Sequence, residues 1–454
     1  MKKILFLLLL IPTLAFPQSE DEVMIKSIFD KALSEGQSHE MLRFLTKEIG
    51  ARLSGSPEAA AAVEWSRQTM TELKFDEVIL QEVMVPHWVR GKREVARISQ
   101  SSKWGSVDLN VRALGNSVGT GPEGVSAKII EVQSLSELET LGKAQLEGKI
   151  VFFNRPMDPT LINTFSAYGG AVDQRGSGAS EAAKYGAIGV IVRSMASNID
   201  DFPHTGSLRY QADQPKIPAV AISTSDAEFL SKVRKGDPEM TVYFETHCMQ
   251  YDDVLSYNVV GELKGTSKNS YIVVGGHLDS WDLGEGAHDD GAGCVQAIEA
   301  VRILKELGYQ PKNNLRAVMF MNEENGLKGG RRYAELALKN KEKHIVAIES
   351  DRGGFVPRGF SLSMTEKQKG KIEKWQPLLL KYGIGDLSQA GGGADIGPLA
   401  EQGVPLMGFL PDSQRYFNYH HTDADVFEAV DKRELELGAA TMAVMIYLID
   451  KYGL

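Results

Sequence analysis

Apolar positions recur at three- and four-residue steps through residues 21–73, and the break at 50–57 (GARLSGSP) divides them into two expected helical stretches. A strand-like run at 77–85 follows. Beyond a Gly-rich passage that opens at Leu114, the pattern shortens to brief apolar runs at 149–153, 189–193 and 217–222, with a small Ala-rich helix at 180–185. This shift marks residues 106–249 as an inserted β-rich domain. Residues 20–105 and 250–454 then form one discontinuous domain.

From Tyr257 the rhythm changes. Uninterrupted apolar runs at 271–275, 315–321, 345–348 and 404–410 alternate with long helices, which suits strands buried on both faces of a largely parallel sheet. The helix after Asp290 carries Cys294, Ile298, Val301 and Leu304 along one face and stops at Gly308, ahead of Pro311. Residues 437–449 are uncharged but fall short of the ~20 that a membrane-spanning helix needs, so they read as a buried helix.

Composition narrows the choice of partners. With Lys+Arg 50 against Asp+Glu 60 the net charge is -10, a poor match for a phosphate backbone, and no nucleic-acid partner is expected. The chain's 454 residues allow about three domains, or one large domain with an insertion. Lys2 and Lys3 before the apolar stretch 4–11, with Thr13 and Ala15 beyond it, read as a signal peptide over residues 1–15, hence as an exported protein without a membrane anchor. Cys248 and Cys294 are too few for a disulfide framework or a thiolate metal site, so any metal must be held by imidazoles and carboxylates.

Three short motifs carry little. Gly115-Asn116-Ser117-Val118-Gly119 fits GxSxG, but Thr-Gly-Pro follows where a nucleophile elbow needs a helix. His39-Glu40 lacks the second zincin His, since Arg43 stands there. Gly284-Glu285-Gly286 has Asp289 at the last position of a dinucleotide fingerprint, where a carboxylate would repel pyrophosphate. The placement of acids and histidines relative to the buried strands says more. His277 and Asp279 close one strand, Asp289 and Asp290 open the next helix, Glu323 and Glu324 close a second strand, Asp351 follows a third, and His420-His421 follows the last. All fall at strand carboxyl ends, where open α/β sheets place their ligands. Any one of these acids alone is better read as a helix cap or a solvated loop acid. So many together on buried strands call for a compensating cation. Imidazoles and carboxylates without thiolate suit a hydrolytic zinc site, with a metal pair sharing one carboxylate as the natural arrangement.

His277-Leu-Asp279-Ser, Asp289-Asp290-Gly-Ala-Gly, Glu323-Glu324, Glu349-Ser-Asp351 and His421-Thr-x-x-Asp425 resemble the co-catalytic di-zinc exopeptidases related to bacterial leucyl aminopeptidase and glutamate carboxypeptidase. The resemblance covers the whole mature chain and is closest to the carboxypeptidase branch, through GHLDSWD at 276–282 and Pro203-His204-Thr205-Gly206. It implies an α/β three-layer sandwich with a mixed, largely parallel central sheet, and makes residues 106–249 a protease-associated domain. Two zinc ions per chain are implied, with Asp289 bridging, His277 and Asp351 on one ion, and Glu324 and His421 on the other. Glu323 would be the general base. Asp279 would accept the second ring hydrogen bond of His277, and Asp290 would follow a cis peptide. His204 and His288 match no ligand role. The related glutamate carboxypeptidase has Tyr where His420 stands, which leaves the oxyanion donor open. Short peptides, dipeptides above all, are the implied substrates, and a homodimer the implied assembly. A single-zinc glutaminyl cyclase, a non-catalytic receptor of the transferrin-receptor type and an aminopeptidase acting on longer peptides are the alternatives.

Overall fold

In the computed structural model, which describes residues 19–454, the uninterrupted apolar runs become strands covered on both faces. One sheet holds β1 (Glu77–Val89), β2 (Met249–Leu263), β3 (Ser270–His277), β4 (Asn314–Phe320), β5 (Lys343–Glu349), β6 (Pro357–Ser363) and β7 (Leu406–Pro411), in the order β1-β2-β4-β3-β5-β7-β6. The inner strands β4, β3, β5 and β7 run parallel. Antiparallel β2 and β1 flank them on one side and β6 on the other. The sheet is mixed, as expected.

Alternation along each strand feeds two cores. Ile272 and Val274 point to the core shared with the helices Glu20–Glu35, Ala292–Glu306 and Lys432–Tyr452. Val273 points the other way, to a smaller core with Tyr333 and Ala334 of the helix Lys328–Asn340. Helices therefore cover both faces. Each fully buried aliphatic side chain contributes ~1.5–3 kcal/mol. Helix Ala292–Glu306 ends where Gly308 takes a left-handed φ of 73°, at the stop expected from sequence. The uncharged run at 437–449 lies inside Lys432–Tyr452 and is almost wholly buried.

Residues 95–245 build a second sheet, of eight strands. Its strand Val95–Gln100 lies ahead of the boundary expected near 106. The sheet is accompanied by helices Ser136–Leu146, Asp173–Ala183 and Thr224–Gly236, so this region is α/β rather than simply β-rich. One of its cores takes in Phe355, Tyr416 and Phe417, which follow β5 and β7, and so seals the two sheets together beside the strand ends. The expected signal peptide at 1–15 lies outside the described residues. Among the described residues, no helix is long and apolar enough to cross a membrane.

Candidate active site

The parallel strands deliver their carboxyl ends to one place. His277 is the last residue of β3, and its Nε2 lies 3.1 Å from Asp289 Oδ1 and 3.5 Å from Asp351 Oδ1. On the other side, His421 Nε2 lies 3.2 Å from Asp289 Oδ2 and 3.1 Å from Glu324 Oε2. The two oxygens of Asp289 thus face two different imidazoles, each backed by a further acid. Glu323 shares the cavity wall with these groups, and His420 stacks on His421 with ring centroids 3.5 Å apart. His420 Nε2 is 3.9 Å from Asp289 Oδ2.

Local backbone geometry sets each group. The Asp289-Asp290 peptide is cis, as the resemblance implied. Asp425 holds this turn, its carboxylate accepting from His288 N at 2.7 Å and Asp289 N at 3.1 Å. Asp290 is fully buried and accepts from His277 N and Gly293 N, both at 3.0 Å, tying the strand end to the helix start. Asp279 corrects one expectation. The ring Nδ1 of His277 donates to the main-chain carbonyl of Asp279 at 2.8 Å, whereas the nearer carboxylate oxygen is 4.0 Å away. That oxygen is already taken by Asn322 N at 2.6 Å and Glu323 N at 3.0 Å. Asp279 therefore anchors the turn that presents Glu323 and Glu324. Asn322 turns there with φ 72°.

Burial works against ionisation of Asp289, but hydrogen bonds with His277 and His421 outweigh it and hold the carboxyl well below its usual range. Burial would also lower His421, yet Glu324 and Asp289 push it up to about 10. Burial, reinforced by Asp289, raises Glu324 to about 7. Glu323 is held well above the usual carboxylate range, chiefly by burial. His420 is pushed well below 6.5 by burial and by the neighbouring His421, so it is neutral.

These residues fit a cation site. Glu324 Oε1 is buried without a hydrogen-bond donor, and Asp289 Oδ2 has within bonding reach no donor but the His421 ring at 3.2 Å. Oxygen and imidazole donors from His277, Asp289 and Glu324, from His277, Asp290 and Asp351, and from Asp289, His420 and His421 converge closely enough to hold metal. The first group shares His277 with the second and Asp289 with the third.

Other motifs are absorbed by the fold. Ser117 is buried, and its Oγ accepts from Ala219 N at 2.9 Å. His39 sits on the helix Ser38–Phe44. Glu285 and Gly286 give their carbonyls to Arg52. Both cysteines are free and buried. Burial pushes His204 and His288 each down to about 3, so both are neutral. His288 Nδ1 accepts from Gly354 N and its Nε2 faces Ala429 O, which makes it a structural imidazole.

The cavity over the cluster has a volume of about 450 Å³. Its walls bring in residues that sequence reading did not single out: Tyr168 and Arg175 from the second-sheet region, and Arg209 and Arg331 at the rim. Arg175 is 6% exposed and bonded only to neutral groups, Thr205 O at 3.3 Å and Tyr168 Oη at 2.5 Å, while its Nε has no partner. No local signal marks it, because its helix begins DQRGSGAS, which reads as a loop.

Buried acids and imidazoles converging at the carboxyl ends of a parallel sheet, beneath a cavity of this size, form a candidate metal site for a ligand in the cavity, and family and relatives make the chain a metallopeptidase. The chain belongs to peptidase family M28, which residues 258–446 match. It is 35% identical over 424 residues to carboxypeptidase Q of Bos taurus, across 93% of this chain and 87% of that one. The crystal structure of a peptidase M28 precursor from Shewanella amazonensis SB2B superposes with a TM-score of 0.90 at 32% identity, covering 95% of this chain and 96% of the other. A zinc aminopeptidase from Bacillus subtilis shares the fold, with a TM-score of 0.64 at 20% identity over 90% of this chain and 94% of its own.

Proposed function

We propose that the chain is an exported exopeptidase that holds two zinc ions and hydrolyses short peptides with a free carboxyl terminus, dipeptides above all. The observation that carries this reading is the polarity of one cavity. Its four acids, Asp289, Glu323, Glu324 and Asp351, all belong to the cluster at its floor, whereas Arg175, Arg209 and Arg331 on its walls have no acid partner among the described residues. A free α-carboxylate satisfies such cations. A substrate ammonium finds no spare acid. The identity to carboxypeptidase Q points the same way.

His277 and Asp351 would hold one zinc, Glu324 and His421 the other, with Asp289 between them. When bound, the pair supplies Lewis acidity at the scissile carbonyl and lowers the pKa of a water toward ~7. Glu323 accepts the proton of the attacking water and delivers it to the leaving nitrogen. His420, kept neutral by burial, has one ring proton to donate to the oxygen that becomes negative. Arg175 and the rim arginines anchor the carboxylate so that the peptide bond next to it lies over the floor. In this reading residues 20–89 and 249–454 are the catalytic domain, residues 95–245 are a protease-associated insertion that shapes the cleft, cleavage near Ala15 follows export, and the active form is a homodimer.

The test is a set of dipeptides that are free, amidated at the carboxyl end or acetylated at the amino end, each assayed with and without chelator. Amidation is expected to lower kcat/KM by ~10- to 100-fold, the worth of a hydrogen bond to a charged group. Arg175→Ala should raise KM for the free dipeptide and narrow that gap. A larger loss on acetylation than on amidation would favour the aminopeptidase reading instead.

A further inference from the structure

The five side chains assigned to metal all come from the first-sheet part of the chain, yet one of them is held from the second. Thr205, in the second-sheet region, donates its main-chain N–H to His421 O at 3.0 Å, and the Thr205 carbonyl lies 3.3 Å from His421 Nδ1. With Nε2 directed to the proposed metal beside Glu324 and Asp289, Nδ1 is the nitrogen left to carry the proton, and the Thr205 carbonyl is its acceptor. Arg175 Nη1 approaches the same ring nitrogen at 3.4 Å, but a guanidinium only donates. It therefore serves the Thr205 carbonyl, at 3.3 Å, and not the ring.

The clamp is braced from both sides. Thr205 Oγ1 donates to Ala113 O at 2.8 Å and accepts from Arg90 Nη2 at 3.3 Å, and Arg90 is itself paired with Asp282 at 2.6 Å. Two residues beyond His421, Asp423 pairs with Arg112 at 2.6 Å. Space is equally tight. Gly206 has φ +126°, and a Cβ there would sit 2.4 Å from Arg175 Nη1 and 2.7 Å from His421 Nδ1. His421 has φ 63°, an unusual value for a residue with a side chain, so its loop depends on outside support.

We infer that Thr205, with Gly206 leaving room beside it, is a positioning residue for His421: its carbonyl selects the Nδ1–H tautomer and aims Nε2 at the metal site. The second-sheet region thus completes a site to which it gives no ligand. Partners that orient a ligating imidazole in this way are worth ~10- to 100-fold in metal affinity. The inference rests on the proposed role of His421 as a ligand, and the test separates the two.

Zinc affinity and stoichiometry are measured by chelator competition on the full chain, together with the visible absorption of the cobalt-substituted protein. Thr205→Val removes the hydroxyl brace and should weaken one of the two zincs by about 10-fold, with Thr205→Ser restoring it and excess zinc recovering turnover. Gly206→Ala should weaken the same zinc further and shift the cobalt spectrum. If Gly206→Ala does not fold, Thr205→Val decides. His421→Ala is the control. Loss of one zinc in His421→Ala with wild-type affinity in Thr205→Val would overturn the positioning role alone, whereas two tightly held zincs in His421→Ala would overturn the ligand assignment as well.

Discussion

Glu323→Gln should keep the fold and both metals while turnover falls by ~10² to 10⁴, the usual worth of a general base. Glu323 and Glu324 are neighbours in the turn that follows β4, which Asp279 and the left-handed Asn322 fix so that the two side chains reach different parts of the site. Glu324 Oε2 reaches His421 Nε2 at 3.1 Å, whereas Glu323 lines the cavity, with its main-chain N–H fixed by Asp279. Glu324→Gln should therefore weaken one metal and regain part of its activity in excess zinc. Two loop acids of no special role would give two similar, mild variants. Equal loss of metal in the two, or a near-normal rate in Glu323→Gln, would show that the base has been misplaced.

Asp289→Asn should be the more damaging change, because its two carboxylate oxygens face His277 at 3.1 Å and His421 at 3.2 Å. An amide removes the charge and offers one acceptor where two are needed. Both metals should be lost, and turnover should fall at least as far as the ~10⁴ limit for a missing base. Asp351→Asn, which touches only the His277 side, should cost one metal. Elemental analysis of the two purified variants distinguishes them, and an Asp289→Asn protein that still holds two zincs would show that this residue does not bridge.

The strand ends were legible because β3, β4, β5 and β7 are buried on both faces, so their residues form unbroken apolar runs and the acids after them stand out. Less was legible where neighbours far along the chain decide the outcome. The start of β2 is exposed and polar (MQYDD), and it is a strand because it pairs with β1. The helix Asp173–Ala183 was foreseen only at its Ala-rich end, since Gly176 and Gly178 obscure the rest, and Gly178 sits where a Cβ would press on Phe153. Arg175 and Thr205 meet His421 across more than 200 residues, a contact that no local pattern announces. Asp279 was recognised as functional, but its carboxylate bonds to amides that follow β4 and not to the imidazole two residues away. Sequence spacing alone does not decide between those two bonds.

The central claim is that this cluster works as a pair of zinc ions. Chelator-stripped protein titrated with zinc, with hydrolysis of a free dipeptide followed at each addition, tests it most directly. Activity should be absent at the start and reach its plateau at about two equivalents per chain. A plateau at one equivalent, or hydrolysis that persists in the stripped protein, would contradict the account.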